Sequence, residues 1–349
     1  MKNKGYLLAS LCGTAVLLSV FGRFVFRIDP YFQYRAPQET MAYEMEMNDF
    51  AYYNAGIAKN FTYDTILTGS SMSRAFLPSY IDEIFDCETV KLSMAEARGK
   101  DLFDMLSLAV KHPQLKRVII GLDTFAYTAK PSYSAYEKPM YLYDDCVLND
   151  VQYLANMDSV LKSTDVLLDT KEGKHTTTMD AYQNYVPTNT FSAQAVKDLY
   201  REHRPQSRST TVDQQKLEQT IRRNLKKNLL PIIEQHPDIT FLFYFPPYSI
   251  VKWGIMPNPE FEFQSMKFLA EQLMDYDNVS VCFYQGHTDV ITDLDHYLDT
   301  IHFDSTVANA IVDEMAQPEL ALTKDNYEAI FAEFHTFIMN YPYDSLLEE

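Results

Sequence analysis

Five short apolar runs, separated by helix-like segments, are the feature that most constrains how this chain can fold. Each run is rich in β-branched or aromatic residues and is bounded by polar or turn residues, as fully buried parallel strands are. The runs are residues 65–68, 89–92, 117–120, 240–245 and 279–283. Segments with apolar residues at helical spacing follow them, at residues 101–110, 212–235, 261–274 and 305–315.

Strand–helix alternation of this kind predicts right-handed crossovers and a parallel sheet with helices on both faces. We therefore expect an α/β fold, a flavodoxin-like three-layer sandwich with about five parallel strands. Residues 127–207 interrupt the alternation and are too long for a plain loop, so we interpret them as an insertion or lid. In such sheets ligands bind beyond the carboxyl ends of the strands, which is where the chemistry is expected.

The N-terminus carries an uncharged apolar run from Gly5 to Gly22, after Lys2 and Lys4. About 20 apolar residues cross a bilayer core, and Arg23 can extend its charge toward the surface. The run is long for a signal peptide and no small-residue cleavage site follows it, which favours an uncleaved anchor over a cleaved signal or a buried helix. We expect an anchor at residues 1–27, a stalk at 28–60 and an α/β domain at 61–345.

The net charge of the chain restricts the kinds of molecule that it can bind. The formal net charge is -18, and such a field repels the phosphates of nucleic acid, so we expect no nucleic-acid partner. The four cysteines show no C-x-x-C spacing, which argues against a disulfide framework and a zinc site. There is no Walker loop and no G-x-G-x-x-G motif, and the sequence predicts neither a cofactor nor a metal.

The first strand run ends in Gly69, Ser70 and Ser71. This places a hydroxyl at the carboxyl edge of the sheet and at the start of a helix, where backbone N–H groups can stabilise an oxyanion. Serine is also a favoured residue for capping a helix, so this motif alone leaves both interpretations open.

A second motif, D-x-x-H, follows the last strand run at Asp299 and His302. A serine needs a base to take its proton, and a histidine oriented by a carboxylate provides one. Asp299 or Asp304 could instead only cap the next helix. Because both motifs lie at the same predicted edge of the sheet, we expect Ser71, His302 and Asp299 to form a catalytic triad.

The chain resembles the SGNH (GDSL-type) hydrolases on these two motifs. More narrowly, it is similar to membrane-anchored bacterial proteins of teichoic-acid D-alanylation and exopolysaccharide O-acetylation, with residues 29–32 matching their stalk. The resemblance implies Ser71 as nucleophile, His302 as base and Asp299 as its orienting partner. It also implies a globular domain outside the cell membrane, a cell-envelope polymer or glycan as substrate, and a multi-pass membrane acyltransferase as a candidate partner.

Two positions depart from that family's pattern. A glycine and an asparagine usually complete the oxyanion hole, whereas Glu96 and Asp123 stand nearest those places here. An ionised Asp123 would repel an oxyanion, and one missing donor costs roughly 10²–10³ in rate. We expect Gly69, Ser70, Glu96, Asp123 and Tyr248 to line the oxyanion and substrate region.

The sequence therefore predicts a membrane-anchored serine esterase or O-acyltransferase that works through an acyl-serine intermediate. The alternative is a non-catalytic protein of the same fold that binds or presents a polymer to a membrane acylation partner, and Glu96 and Asp123 favour it. A third possibility is a structural domain in which the serine and histidine only cap helices. His287, His296 and Trp253 are weaker candidates, and we expect them to be surface or core residues.

Overall fold

Five parallel strands form one sheet in the computed structural model, which describes residues 2–347. The strands are β1 (Thr65–Thr68), β2 (Thr89–Lys91), β3 (Arg117–Gly121), β4 (Thr240–Tyr244) and β5 (Val279–Cys282). Their order is β2-β1-β3-β4-β5, the flavodoxin-like order. The predicted α/β class is confirmed, and every predicted strand is present to within one residue at each end.

The helices lie between and around the strands. They are α1 (Lys2–Ile28), α2 (Phe50–Asn60), α3 (Pro78–Phe85), α4 (Gly99–Ala109), α5 (Thr124–Tyr127), α6 (Val151–Leu154), α7 (Met157–Glu172), α8 (Ala193–His203), α9 (Gln214–Asn228), α10 (Leu230–Gln235), α11 (Ile250–Ile255), α12 (Pro259–Leu273), α13 (Thr288–Thr292), α14 (Ser305–Met315) and α15 (Tyr327–Asn340). Short 3-10 helices occupy Met47–Asp49, Ser71–Ala75, Met140–Leu142, Val186–Thr188, Tyr284–Gly286, Leu294–His296, Pro318–Leu320 and Tyr343–Leu347.

The long helix predicted at residues 212–235 is divided in the structure. It forms α9 and α10, with Leu229 between them in a non-helical conformation and Pro231 in the first turn of α10. Proline has no N–H to donate and its ring clashes with the carbonyl four residues earlier, so the helical ladder cannot continue through Pro231.

The chain divides into two compact units. The second unit holds Tyr63–Glu137 and the residues from Gln183 onward, and so contains the whole sheet. Within it α3 packs with α14, while α4, α10 and α12 each pack with α9, so two groups of helices surround the sheet. β1 and β2 are buried throughout, β3 and β4 after their first residue, and β5 in its second half, and this burial explains why the strands are mostly apolar.

The first unit holds the residues up to Thr62 together with Lys138–Tyr182, a part of the segment predicted as an insertion. Its longest element, α1, is apolar from Gly5 to Ile28, with a mean hydropathy of 1.8, and only 6% of that stretch is buried. By length and composition α1 could cross a membrane. After α1 the chain turns at Asp29, whose buried carboxylate accepts the N–H groups of Gln33, Tyr34 and Arg35. This turn fixes the exit of the chain from the helix.

Candidate active site

The strand order brings the ends of β1 and β3 side by side, and this arrangement positions the serine motif. Thr68, the last residue of β1, pairs with Ile120 of β3. Gly69 follows with φ +143°, in the left-handed half of backbone space, where a side chain is strained. A Cβ added there would also lie 3.2 Å from the backbone nitrogen of Gly121. Gly69 is therefore required for the chain to leave β1 so closely against β3.

Ser71 begins a five-residue 3-10 helix, Ser71–Ala75, rather than the α-helix expected near Arg74. The Ser70 hydroxyl caps that helix by accepting the N–H of Met72 at 3.2 Å. Capping is thus the role of Ser70, and the hydroxyl of Ser71 stays available for another partner. The N–H of Ser71, at the first position of the helix, has no partner within it and is suited to hold an oxyanion.

The structure brings the three residues of the predicted triad together. The Oγ of Ser71 lies 2.8 Å from Nε2 of His302, although the two residues are 231 positions apart. On the other side of the ring, Nδ1 of His302 lies 2.7 Å from Oδ2 of Asp299. Hydroxyl, imidazole and carboxylate thus form one continuous hydrogen-bonded chain.

Asp299 is held by the backbone of its own turn. Its Oδ1 accepts the N–H groups of Ile301 at 2.8 Å and His302 at 2.9 Å, which leaves Oδ2 for the imidazole. Burial acts to raise the pKa of Asp299, but the hydrogen bonds from His302 and Ile301 outweigh it and hold the pKa below its usual value. The carboxylate is consequently ionised at neutral pH and fixes the proton of His302 on Nδ1.

Tyr185 packs edge-on against the imidazole, and no pattern in the sequence predicts this contact. The two ring centroids are 5.3 Å apart at an angle of 77°. The hydroxyl of Tyr185 donates to the carbonyl of Phe303 at 2.7 Å, so the tyrosine is anchored to the segment that carries His302. It lies within the predicted insertion, in a stretch without strand, helix or motif signals.

Asp123 lies at the end of β3 and is buried, with only 2% of its surface exposed. Burial raises its pKa to about 6, against the lowering effects of the Ser70 and Tyr248 hydroxyls. Tyr248 donates its hydroxyl to Oδ1 at 2.8 Å. Among the described residues Oδ2 has no hydrogen-bond partner, although the Ser70 hydroxyl acts to lower the pKa of this carboxyl. Asp123 therefore carries a partly unsatisfied carboxyl beside the triad.

Glu96 occupies a tight turn between β2 and α4. It is exposed and has φ +52°, a conformation in which glycine is the usual residue. In the part of the chain that the structure describes, no hydrogen bond links Glu96 to Ser71, His302 or Asp299.

A cavity of about 410 Å³ adjoins this region. Its walls include Thr124 and Tyr248, which neighbour Asp123, and Ile301, which precedes His302. Most of its remaining surface is apolar, but Glu262 and Lys252 also face it. Burial raises the pKa of the Glu262 carboxyl to about 7 in spite of its hydrogen bond from Thr124, although part of the residue remains accessible to solvent.

The weaker candidates have partners of their own. Nε2 of His287 lies 2.5 Å from Oε2 of Glu314, and Nδ1 of His296 lies 2.8 Å from Oδ2 of Asp304. Trp253 is fully buried and packs edge-on against Phe334, so it belongs to the core. Among residues 2–347, no group of three or more histidine, cysteine or acidic side chains is arranged to hold a metal ion.

No protein-family model matches this chain, and no curated protein matches it significantly.

Proposed function

We propose that this protein is a membrane-anchored serine esterase or O-acyltransferase that acts on a cell-envelope polymer or glycan. The observation that carries the proposal is the hydrogen-bonded chain from Ser71 through His302 to Asp299, with distances of 2.8 and 2.7 Å. A buried network of capping residues would not need an imidazole placed between a hydroxyl and an ionised carboxylate. Nucleophilic catalysis by serine needs that arrangement.

In the first half of the reaction, the Oγ of Ser71 attacks the carbonyl carbon of an ester while Nε2 of His302 takes the hydroxyl proton. The negative charge that develops on the carbonyl oxygen is stabilised by the N–H of Ser71. When the intermediate collapses, the ester C–O bond breaks, His302 gives its proton to the departing alcohol, and the acyl group stays on Ser71. Asp299 stabilises the imidazolium while it exists.

In the second half, water or a sugar or polyol hydroxyl attacks the acyl carbon while Nε2 of His302 takes its proton. The bond between the acyl carbon and Oγ of Ser71 then breaks, and His302 returns the proton to Oγ. Water gives hydrolysis and the second acceptor gives transfer. The cavity bordered by Thr124, Tyr248 and Ile301 offers room next to the site for part of the substrate. The apolar α1 supports the membrane anchor. The cell-envelope polymer, the placement of the domain outside the membrane and the multi-pass acyltransferase partner rest on the family resemblance.

The experiment is hydrolysis and transfer of an activated acyl ester by the full chain in detergent or nanodiscs, with glycerol as acceptor. Ser71→Ala and His302→Ala should each lower kcat by at least about 10³. His296→Ala is the matched control, because His296 also pairs with an aspartate at 2.8 Å but touches no serine, and it should retain activity. Equal activity of wild type and Ser71→Ala would reject the proposal.

A second candidate function is a non-catalytic protein that presents a polymer to a membrane acylation partner. The buried carboxyl of Asp123 favours it, because an ionised Asp123 opposes an oxyanion beside the triad. Under this reading Ser71→Ala leaves polymer acylation in cells unchanged, whereas deletion of residues 1–27 abolishes it. Under the first reading both changes abolish acylation.

A further inference from the structure

The first unit carries a group of large apolar side chains that are mostly exposed to solvent. Val147 is 75% exposed, Leu148 85% and Val151 60%, and Leu161 on α7 is 57% exposed. Single exposed leucines are ordinary, but a cluster along one short stretch of chain marks a contact surface. We call these four residues the apolar edge.

The position of the apolar edge relative to α1 identifies what covers it. Both α6 and α7 pack against α1. A Cβ added to Gly22 of α1 would lie 3.6 Å from Cβ of Leu154, the last residue of α6. Val151 lies on α6 and Leu161 on α7, so two residues of the apolar edge lie on the helices that pack against α1.

The length of α1 fixes the depth of that point. The apolar stretch Gly5–Ile28 has 24 residues, which at 1.5 Å per residue span about 36 Å. The hydrocarbon core is about 30 Å thick and is filled by about 20 residues, so Gly22 lies within about one turn of the far edge of the core. Leu154, which neighbours Gly22, then lies at the boundary between the acyl chains and the lipid headgroups, and Val151 of the apolar edge begins the same short helix.

We propose that the apolar edge inserts into the membrane interface, so that the first unit is docked on the lipid surface as well as tethered to it. The stretch is acidic, with Asp144, Asp145 and Asp150 beside the apolar residues. Anionic headgroups would not attract it, so burial of apolar side chains drives the contact. The occupant is the acyl-chain boundary of a neutral lipid surface. The inference rests on α1 crossing the membrane and is independent of the proposed catalysis.

The test places a tryptophan on the apolar edge of the full chain in phosphatidylcholine nanodiscs. Leu148→Trp is read with and without lipids brominated on their acyl chains, and Leu161→Trp serves as a second site. The native Trp253 is fully buried and supplies the baseline in the unmodified chain. Leu17→Trp, in the middle of α1, is the positive control for insertion of the helix.

We expect a blue-shifted emission from Leu148→Trp, at least about twofold quenching by the brominated lipid, and protection from acrylamide in water. Because charge does not drive the contact, adding anionic lipid should not increase the quenching. A red emission that only acrylamide quenches, with Leu17→Trp quenched by lipid, would overturn the docking while leaving the anchor intact. A blue emission that neither agent quenches would mean that protein covers the edge, and would also overturn it. If Leu17→Trp is itself not quenched, the premise of a spanning α1 fails.

Discussion

Replacing Asp299 by asparagine tests whether its carboxylate sets the tautomer of His302, and it leaves the shape of the site unchanged. In the structure Oδ1 of Asp299 accepts two backbone N–H groups, at 2.8 and 2.9 Å, and Oδ2 faces Nδ1 of His302 at 2.7 Å. In Asp299→Asn the two N–H groups can be satisfied only by the amide oxygen. The NH₂ group must then face Nδ1 and donate to it.

An imidazole that accepts a hydrogen bond at Nδ1 carries its proton on Nε2. That nitrogen lies 2.8 Å from the Oγ of Ser71 and can then no longer take the serine proton. The corresponding change of tautomer lowers kcat by about 10⁴ in a serine protease triad, and we expect a similar loss here at neutral pH. The assay is kcat for an activated ester, with circular dichroism to show that the variant is folded.

Asp304→Asn is the matched control for this prediction. Oδ1 of Asp304 also accepts two backbone N–H groups, and Oδ2 also faces a histidine Nδ1, that of His296, at 2.8 Å. The same substitution therefore makes the same local change five residues further along, away from the serine. We expect stability to fall by about 1 kcal/mol through the weakened helix cap, with kcat within about threefold of wild type. Equal losses of kcat in the two variants, or no loss in Asp299→Asn, would show that the tautomer of His302 set by Asp299 does not control kcat.

Three further predictions follow from the surroundings of the triad. Burial raises the pKa of Asp123 from 3.8 to about 6, so the folded state holds its proton more tightly and stability is lost as pH rises through this window, by about 3 kcal/mol. Asp123→Asn should remove that loss, which is measured as the difference in stability between urea unfolding curves at pH 4 and pH 7. The variant should also raise kcat more at pH 8 than at pH 5. The same pH dependence in the variant and in wild type would contradict this prediction. Gly69→Ala places a side chain on a residue with φ +143°. It should lower the free energy of unfolding in urea by about 1–3 kcal/mol and remove most of the esterase activity. Stability equal to that of wild type would show that the turn tolerates a Cβ. Tyr185→Leu removes the ring that packs against His302, and it should lower kcat by about tenfold with little change in KM. Tyr185→Phe keeps the ring and should keep more of the activity. A change in KM alone would argue that Tyr185 does not position His302.

The sheet was predictable because its strands carry their burial in the sequence. A strand covered on both faces is mostly apolar, and four of the five residues of β4, TFLFY, fit that pattern without any partner being known. The buried Thr65, Thr68 and Lys91 of β1 and β2 are polar exceptions. The break between α9 and α10 was missed because amphipathic spacing continues through residues 212–235, although Pro231 gave a local signal of it.

The residues of the triad could be proposed from the sequence, but their geometry could not. Ser71 and His302 follow different strands, and the fold rule places both at one edge of the sheet without fixing the distance between them. The edge-on contact of Tyr185 depends on the path of a long connection, for which no periodicity exists. The raised pKa of Asp123 likewise depends on how deeply the end of β3 is buried, which only the packed structure shows.

The most direct measurement of the central proposal is covalent labelling of the full chain with a fluorophosphonate, followed by peptide mass spectrometry. A serine reacts with this probe only when a neighbouring base activates it. We expect one adduct, on Ser71, formed in wild type and in His296→Ala and lost in His302→Ala. An unlabelled wild-type chain, or an adduct on another serine that persists in His302→Ala, would contradict it.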